Sequence, residues 1–313
     1  MKNEVLVLLA AYNGQKYIRK QLQSIFESSG PLSVSVLVGL DPSSDDTYSV
    51  VKEFEGKGCL LVSNKEPSGS AKNNFSLLLE RALSSENKFY AFSDQDDVWD
   101  VDKIAMNLSS MHEMEMLYGA NTPILIFSDS RTVSESLEVI NESFMDAESL
   151  NPDFSNNFKK LIIQNVGQGC TFLFNRALLE LATPIPEYSR MHDHWLMLVA
   201  SAFGKIAYIP KPLLSYRQHS ANVIGAHGHG VFSAVERLFF KKQSINESIL
   251  KNQKQAEVFL HRYADFLDNN QISFLRKYSC LSNKNFIYRK FFCVKHGLVM
   301  SDFLRTAGFY LFR

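Results

Sequence analysis

Short apolar runs recur along the first half of the chain: VLVLLA (5-10), VSVLVGL (34-40), CLLVS (59-63), KFYAFS (88-93) and PILIFS (123-128). They are too short for ordinary helices and apolar throughout, the pattern of strands buried on both faces. Between them the period changes. Ile18, Leu22, Ile25 and Phe26 fall at i, i+4, i+7, i+8, and Phe75, Leu78, Leu79 and Ala82 at i, i+3, i+4, i+7, each marking one face of a helix. Strands alternating with amphipathic helices predict an α/β fold, Rossmann-like, with a mainly parallel sheet flanked by helices. Ligands on such sheets collect at the carboxyl ends of the strands. The polar breaks fall at those ends: AAYNG, LDPSSDDT, SNKEPSG, SDQDD and SDS. Taken singly, each is ordinary turn chemistry, and Ser44 or Asp45 could cap a helix starting near Thr47.

At 313 residues and 45% hydrophobic composition the chain can bury one large core or two smaller ones. Charged residues make up 21%, the formal net charge is zero and aromatics reach 12%, a profile that suits neither a disordered tail nor a dedicated nucleic-acid binder. Cys59, Cys170, Cys280 and Cys293 show no CxxC spacing and read as free thiols rather than a disulfide framework. The first apolar stretch ends at Ala11 and follows a glutamate, which argues against a membrane span or a signal peptide. A cytoplasmic protein is expected. The neutral total conceals an asymmetry: residues 232-313 carry 14 Lys and Arg against 6 Asp and Glu, residues 1-231 carry 19 against 27.

FSDQDDVW (92-99) places Asp94, Asp96 and Asp97 at the end of the fourth run. Their mutual repulsion needs an offset, and a divalent cation bound by hard oxygen ligands together with a diphosphate supplies one. Taken in order, AAYNG, Asp41 at the second strand end, SNKEPSGSAKNN and SDQDDVW resemble the family 2 glycosyltransferases of the GT-A fold, with Asp94-Gln95-Asp96 as their DXD element. NVGQGCTFLFNRALL (165-179), MHDHW (191-195) and YRQHSANVIG (216-225) are similar to acceptor-side motifs of the branch that includes bacterial rhamnosyltransferases of O-antigen and cell-wall polysaccharides. The motifs cover about residues 4 to 225. Where many relatives have Asp-Asp-Gly at the second strand, this chain has Leu40-Asp41-Pro42.

The resemblance implies an inverting, metal-dependent glycosyltransferase acting in surface polysaccharide synthesis. Its donor is a nucleotide sugar, dTDP-L-rhamnose by the branch, with UDP-hexoses or UDP-N-acetylhexosamines as alternatives. Its cofactor is Mg2+ or Mn2+. Asp41 would contact the base, with Ala11, Tyr12 and Asn13 around it and Asn73, Asp94 and Gln95 on the donor side. Asp96 would bind the metal, and His219 is a further candidate ligand. Asp97 either caps a helix over about Val101 to Met111 or orients the ligands. Asp193 is the expected catalytic base, the alternative being an N-cap. Gly169 would let a loop approach the sugar, and Trp195 either walls the acceptor or fills core. His192 and His194 superficially suggest a metal pair, but in a helix they diverge by about 200 degrees.

The expected organisation is a catalytic domain over 1-231, with a donor half to about 130 and an acceptor half beyond it, then a helical extension over 232-313. In the extension aromatic residues alternate with Lys and Arg. It suits either peripheral contact with an anionic membrane or packing on the catalytic domain or a second copy. Peripheral contact fits an acceptor that is a glycan or polyprenyl-linked glycan. Other classes remain open: a sugar nucleotidyltransferase, for which a Gly-rich basic loop after the first strand is expected instead of AAYNGQKYI, or a non-catalytic nucleotide-sugar binding module.

Overall fold

A computed structural model describes residues 4-28, 30, 34-219 and 234-312. Nine strands form one sheet: β1 (Val5–Ala11), β2 (Val34–Leu40), β3 (Cys59–Ser63), β4 (Phe89–Ser93), β5 (Val98–Trp99), β6 (Ile124–Val133), β7 (Val139–Asn141), β8 (Leu173–Asn175) and β9 (Lys205–Arg217). Their order is β3-β2-β1-β4-β8-β6-β9-β5, with β7 paired to β6. The β3-β2-β1-β4 half is parallel throughout. β8 runs antiparallel between β4 and β6, β9 is parallel to β6, and β5 is antiparallel to β9.

Among the described residues, twelve α-helices accompany the sheet. The first eight are α1 (Ile18–Ser28), α2 (Thr47–Lys52), α3 (Ala71–Ala82), α4 (Lys103–Tyr118), α5 (Phe144–Ala147), α6 (Phe158–Leu161), α7 (Arg176–Ala182) and α8 (His192–Phe203). They are followed by α9 (Ala234–Tyr263), α10 (Asn269–Ser279), α11 (Phe286–Lys295) and α12 (Phe303–Phe312). β1 shows why its run is apolar at every position. Leu6 and Leu8 enter one core, shared with Phe75, Leu78 and Leu79 of α3, while Val5, Val7 and Leu9 enter the other, shared with Ile18, Leu22 and Ile25 of α1 and Ile104 and Leu108 of α4. Two buried faces leave no solvent side to mark with polar residues.

The α/β expectation therefore holds, with differences at the edges. The fifth run extends to Val133, and β8 separates it from β4. β9 escaped the sequence reading because Pro210 and Pro212 interrupt it; its pairing with β6 shifts register beside Pro212, the position at which a strand tolerates proline. α4 starts at Lys103 rather than Val101 and runs past Met111 to Tyr118, where Gly119 at φ 86° ends it. The boundary expected at 231 and the 220-225 end of the YRQHSANVIG motif lie outside the described residues. The C-terminal region is helical as expected, and α9 packs Phe259 and Tyr263 on Trp195 of α8. No disulfide joins any of the four cysteines. Among the described residues, no helix is long and apolar enough to cross a membrane.

Candidate active site

The carboxyl ends of β1 and β2 are laced together by side chain to backbone bonds. Asn13 adopts φ 46°, a left-handed conformation that Asn tolerates better than most residues. Its Oδ1 accepts from Ser44 N (2.8 Å), and its N–H donates to Ser43 Oγ (3.0 Å). Gly14 N–H donates to Thr47 Oγ1 (2.8 Å), and Asp45 Oδ1 accepts from Thr47 N (3.1 Å), so Asp45 covers the α2 entry that the sequence reading offered to Ser44 or Asp45. Ala11 accepts from Asp41 N (2.9 Å). Asp41 is buried; its Oδ1 accepts from Asn64 Nδ2 (2.7 Å) and Ser68 N (3.2 Å), and its Oδ2 from Ser68 Oγ (2.5 Å). Three of about four lone-pair sites are thereby used and one is left over. Asn73 joins the same loop through Nδ2 donating to Ser68 O (2.8 Å). Tyr12 is 56% exposed beside it.

The Gln95 amide is engaged by the protein itself. It forms a two-bond clamp on the Tyr12 backbone, accepting from Tyr12 N and donating to Tyr12 O, both at 2.9 Å. Gly14 makes room for that clamp, since a Cβ there would sit 2.1 Å from Gln95 Oε1. Gln95 thus positions the β1 loop against the end of β4.

Asp96 and His219, 123 positions apart, meet: Oδ2 and Nε2 are 2.7 Å from each other. Tyr17 stacks on the His219 ring at 4.9 Å. Arg217 organises the surroundings, donating Nε to Asp96 O (2.7 Å) and its backbone N–H to Asp97 Oδ1 (3.2 Å), while its guanidinium bonds Glu135 O. Asp97 is not a cap. It is fully buried, α4 begins with Asp102 at its N-cap position, and no partner reaches Asp97 Oδ2. Burial, then the charges of Asp96 and Asp94, push the Asp97 carboxyl well above the usual range. The Cys170 side chain beside it acts against that rise, and burial lowers the neighbouring Lys103 ammonium to about 8. Asp94, partly exposed, is pushed up to about 7 by burial first, then by Asp96 and Asp193. A ligand atom each from Asp94, Asp97 and Cys170 lies within 4.8 Å of the other two.

Asp193 lies in the first turn of α8, whose N-cap position is Met191. Burial raises its carboxyl to about 6, against the hydrogen bonds of His194 N (2.6 Å), Gly169 N–H and the Asn165 side chain. Gly169 is needed for that approach, because a Cβ there would lie 2.8 Å from His192 Nε2 and 3.2 Å from the Asp193 Cβ. His192 and His194 diverge as expected. The first stacks on Phe75 (3.9 Å) and the second faces Leu161 O (2.6 Å). Trp195 corrects the reading of an acceptor wall: it is fully buried, its Nε1 donates to Ala182 O (3.0 Å), and α9 covers its ring. The sequence reading missed Arg217, although it stands inside YRQH, and Glu135, Lys103 and Cys170, which carry no local signal.

A parallel half-sheet with clustered carboxylates at its strand ends puts the candidate site where α/β enzymes bind their ligands. The profile of glycosyl transferase family 2 matches residues 6–181, and the chain belongs to that family. It is 27% identical over 235 residues to the dTDP-rhamnosyl transferase RfbG of Shigella flexneri, covering 70% of this chain and 74% of that one. Solved structures share the fold at lower identity. TarS 1-349 of S. aureus in complex with UDP-GlcNAc gives a TM-score of 0.52 at 18% identity, over 96% of this chain and 93% of that one. In another structure of S. aureus TarS this chain covers 45% of that chain. The mannosyltransferase PcManGT of Pyrobaculum calidifontis, in complex with GDP-Man and Mn2+, gives 0.51 at 16% identity, over 99% and 88%.

Proposed function

We propose that this glycosyltransferase moves a sugar, with inversion, from a nucleoside-diphosphate sugar to a hydroxyl of a glycan or polyprenyl-linked glycan. The observation that carries the reading is the convergence of Asp96 and His219 at the end of β4 (2.7 Å), with Asp193 near enough for its charge to act on Asp94. Asp193, held near 6, is ionised at neutral pH and more basic than an ordinary aspartate. It accepts the proton of the acceptor hydroxyl as that oxygen attacks the anomeric carbon from the face opposite the diphosphate. Gly169 N–H and the Asn165 side chain fix its orientation. On the donor side, the spare lone pair of Asp41 suits the imide N–H that uracil and thymine both present, and Tyr12 offers an exposed ring for the base.

Asp96 and His219 fit a divalent cation, since their donor atoms already converge at 2.7 Å. A carboxylate paired with an imidazole favours Mn2+ over Mg2+. When bound, such an ion supplies Lewis-acid neutralisation of the leaving diphosphate. The likeness to RfbG favours dTDP-L-rhamnose as donor; UDP-hexoses and UDP-N-acetylhexosamines are the alternatives, the latter matching the TarS complex. A thermal-shift panel of these donors with and without Mn2+ decides among them, because preferential binding stabilises the folded chain. Asp96→Ala is expected to lose both the Mn2+-dependent shift and donor turnover, whereas Asp193→Ala keeps the shift and loses turnover. Unchanged turnover in both variants would remove Asp96 and Asp193 from the mechanism. A native chain that binds donor and never turns it over would be a binding module.

A further inference from the structure

The C-terminal helices carry a surface for which the strand-end site has no use. α11 buries Phe292 and Cys293 and turns Ile287, Phe291 and Val294 outward, at 79%, 62% and 68% exposure. Their i, i+4, i+7 spacing makes them one stripe. At 3.6 residues per turn, exposed Lys295 flanks it about 70 degrees to one side, and exposed Lys284 stands just before the helix; the Lys290 ammonium on the other side is buried over Phe286 and Tyr310. The start of α12 adds Phe303 and Leu304, exposed at 82% and 76%, and Lys290 lies over Tyr310 of α12, so the two helices adjoin. Of the twenty large hydrophobic side chains exposed among the described residues, seven fall between 286 and 304. That concentration exceeds the scattered exposure normal for a monomer. Between Asp268 and Asp302 the sequence has six Lys and Arg and no acidic residue.

We propose that α11, with the start of α12, is the face by which this chain lies on an anionic lipid bilayer. The apolar stripe enters the headgroup region while the bordering cations meet lipid phosphates, the arrangement of an interfacial amphipathic helix. A second copy of the chain fits less well. A two-fold contact between stripes would bring the exposed Lys284 and Lys295 of both copies into one interface, and the stretch from 269 to 301 has no carboxylate to pair with them. The face is also fixed relative to the acceptor side. Ser301 N–H donates to Gln164 Oε1 (2.7 Å), Arg305 pairs with Glu148 (2.8 Å), and Asn165, the neighbour of Gln164, bonds Asp193. A bilayer under α11 would therefore lie on the side from which a lipid-linked acceptor arrives. The lipid contact itself stands apart from the donor and base assignments.

The test is flotation of the full chain with phosphatidylcholine vesicles, with and without phosphatidylglycerol, at low and high salt. Binding is expected only to the anionic vesicles, weakened by salt. The pair Lys284→Gln and Lys295→Gln is expected to lower partitioning roughly thirtyfold, about fivefold for each cation. The triple change Ile287→Ser, Phe291→Ser and Val294→Ser should lower it at least about tenfold, with the thermal midpoint and the donor-induced shift kept, because these side chains are exposed. Three results would overturn the proposal: native chain that fails to float with anionic vesicles at low salt, a triple variant that floats as well as native, or a native dimer in sedimentation equilibrium that the triple change makes monomeric without altering flotation.

Discussion

Replacing Asp193 by Asn separates the chemistry of the carboxylate from its cost. Burial holds this carboxyl near 6 against an ordinary 3.8. Two pKa units correspond to about 3 kcal/mol against the ion at neutral pH. The folded chain thus binds this proton more tightly than the unfolded one. The associated stability is fully present below the ordinary aspartate pKa, declines as pH rises, and is gone once pH passes the folded value near 6. Asn carries no charge at any of these pH values and can still accept from His194 N–H. Because Asp193 keeps some exposure, the 3 kcal/mol is an upper limit, and a gain of about 1–2 kcal/mol at about pH 7.5 is expected. That raises the midpoint by a few degrees in a chain of this size, at about 2–4 °C per kcal/mol. Near about pH 4 the two chains should melt alike. Sugar transfer by Asp193→Asn should fall by about 10²–10⁴, and the acidic limb of kcat/KM, centred near 6 in the native chain, should vanish. The assays are scanning calorimetry across pH and initial transfer rates across the same range. A variant midpoint lowered as much at neutral pH as at acid pH, or an acidic limb that survives the substitution, would refute the reasoning.

Gly169→Ala drives a Cβ to 2.8 Å from His192 Nε2, and that ring is held by Phe75 and Phe92. Displacement of the α8 entry should lower transfer at least about tenfold while the donor-induced thermal shift persists. Trp195→Ala empties a fully buried site and should cost about 3–5 kcal/mol of stability in denaturant melts, leaving the acceptor KM of the folded fraction unchanged. A raised KM with no loss of stability would restore the acceptor-wall reading. Gly14→Ala collides with Gln95 Oε1 at 2.1 Å and should weaken donor binding, measured by titration calorimetry, more than it lowers the melting midpoint.

The donor half was legible because its signals are local. A strand buried on both faces is written as an apolar run, and a polar loop follows it directly, so β1 to β4 and Asp41, Asp94 and Asp96 could be read from single stretches. The acceptor half depends on pairings made at a distance. β8 is three residues long and β9 is broken by two prolines, so neither has the length or purity of an apolar run. Trp195 was ambiguous because a tryptophan beside a predicted base is equally consistent with a wall or with core; α9, more than sixty positions later, decides it. Gln95 stands inside the DXD element that the resemblance assigns to the donor side. Its clamp on Tyr12 becomes visible only when β1 and β4 lie side by side.

Asp94, Asp96 and Asp97 crowd the end of β4, and each has a different balance. Asp96 has the His219 imidazole at 2.7 Å. Asp97 receives the Arg217 N–H and lies beside the Cys170 thiol, with Lys103 close enough for Asp97 to act on its pKa. Asp94 has only influences that raise it: burial, then Asp96, then Asp193. The repulsion in the site is thus concentrated on the carboxylate that stands between the metal-fitting pair and the base. Asp193 is 99 positions away in sequence, yet its charge is felt at Asp94, so the donor and acceptor ends form one electrostatic unit. In the proposed mechanism, positive charge brought to Asp96 and His219 would relieve Asp94 and leave Asp193 as the basic carboxylate for the acceptor hydroxyl. A fixed triplet of ionised aspartates could not make that distinction; unequal burial and unequal partners make it in advance of substrate.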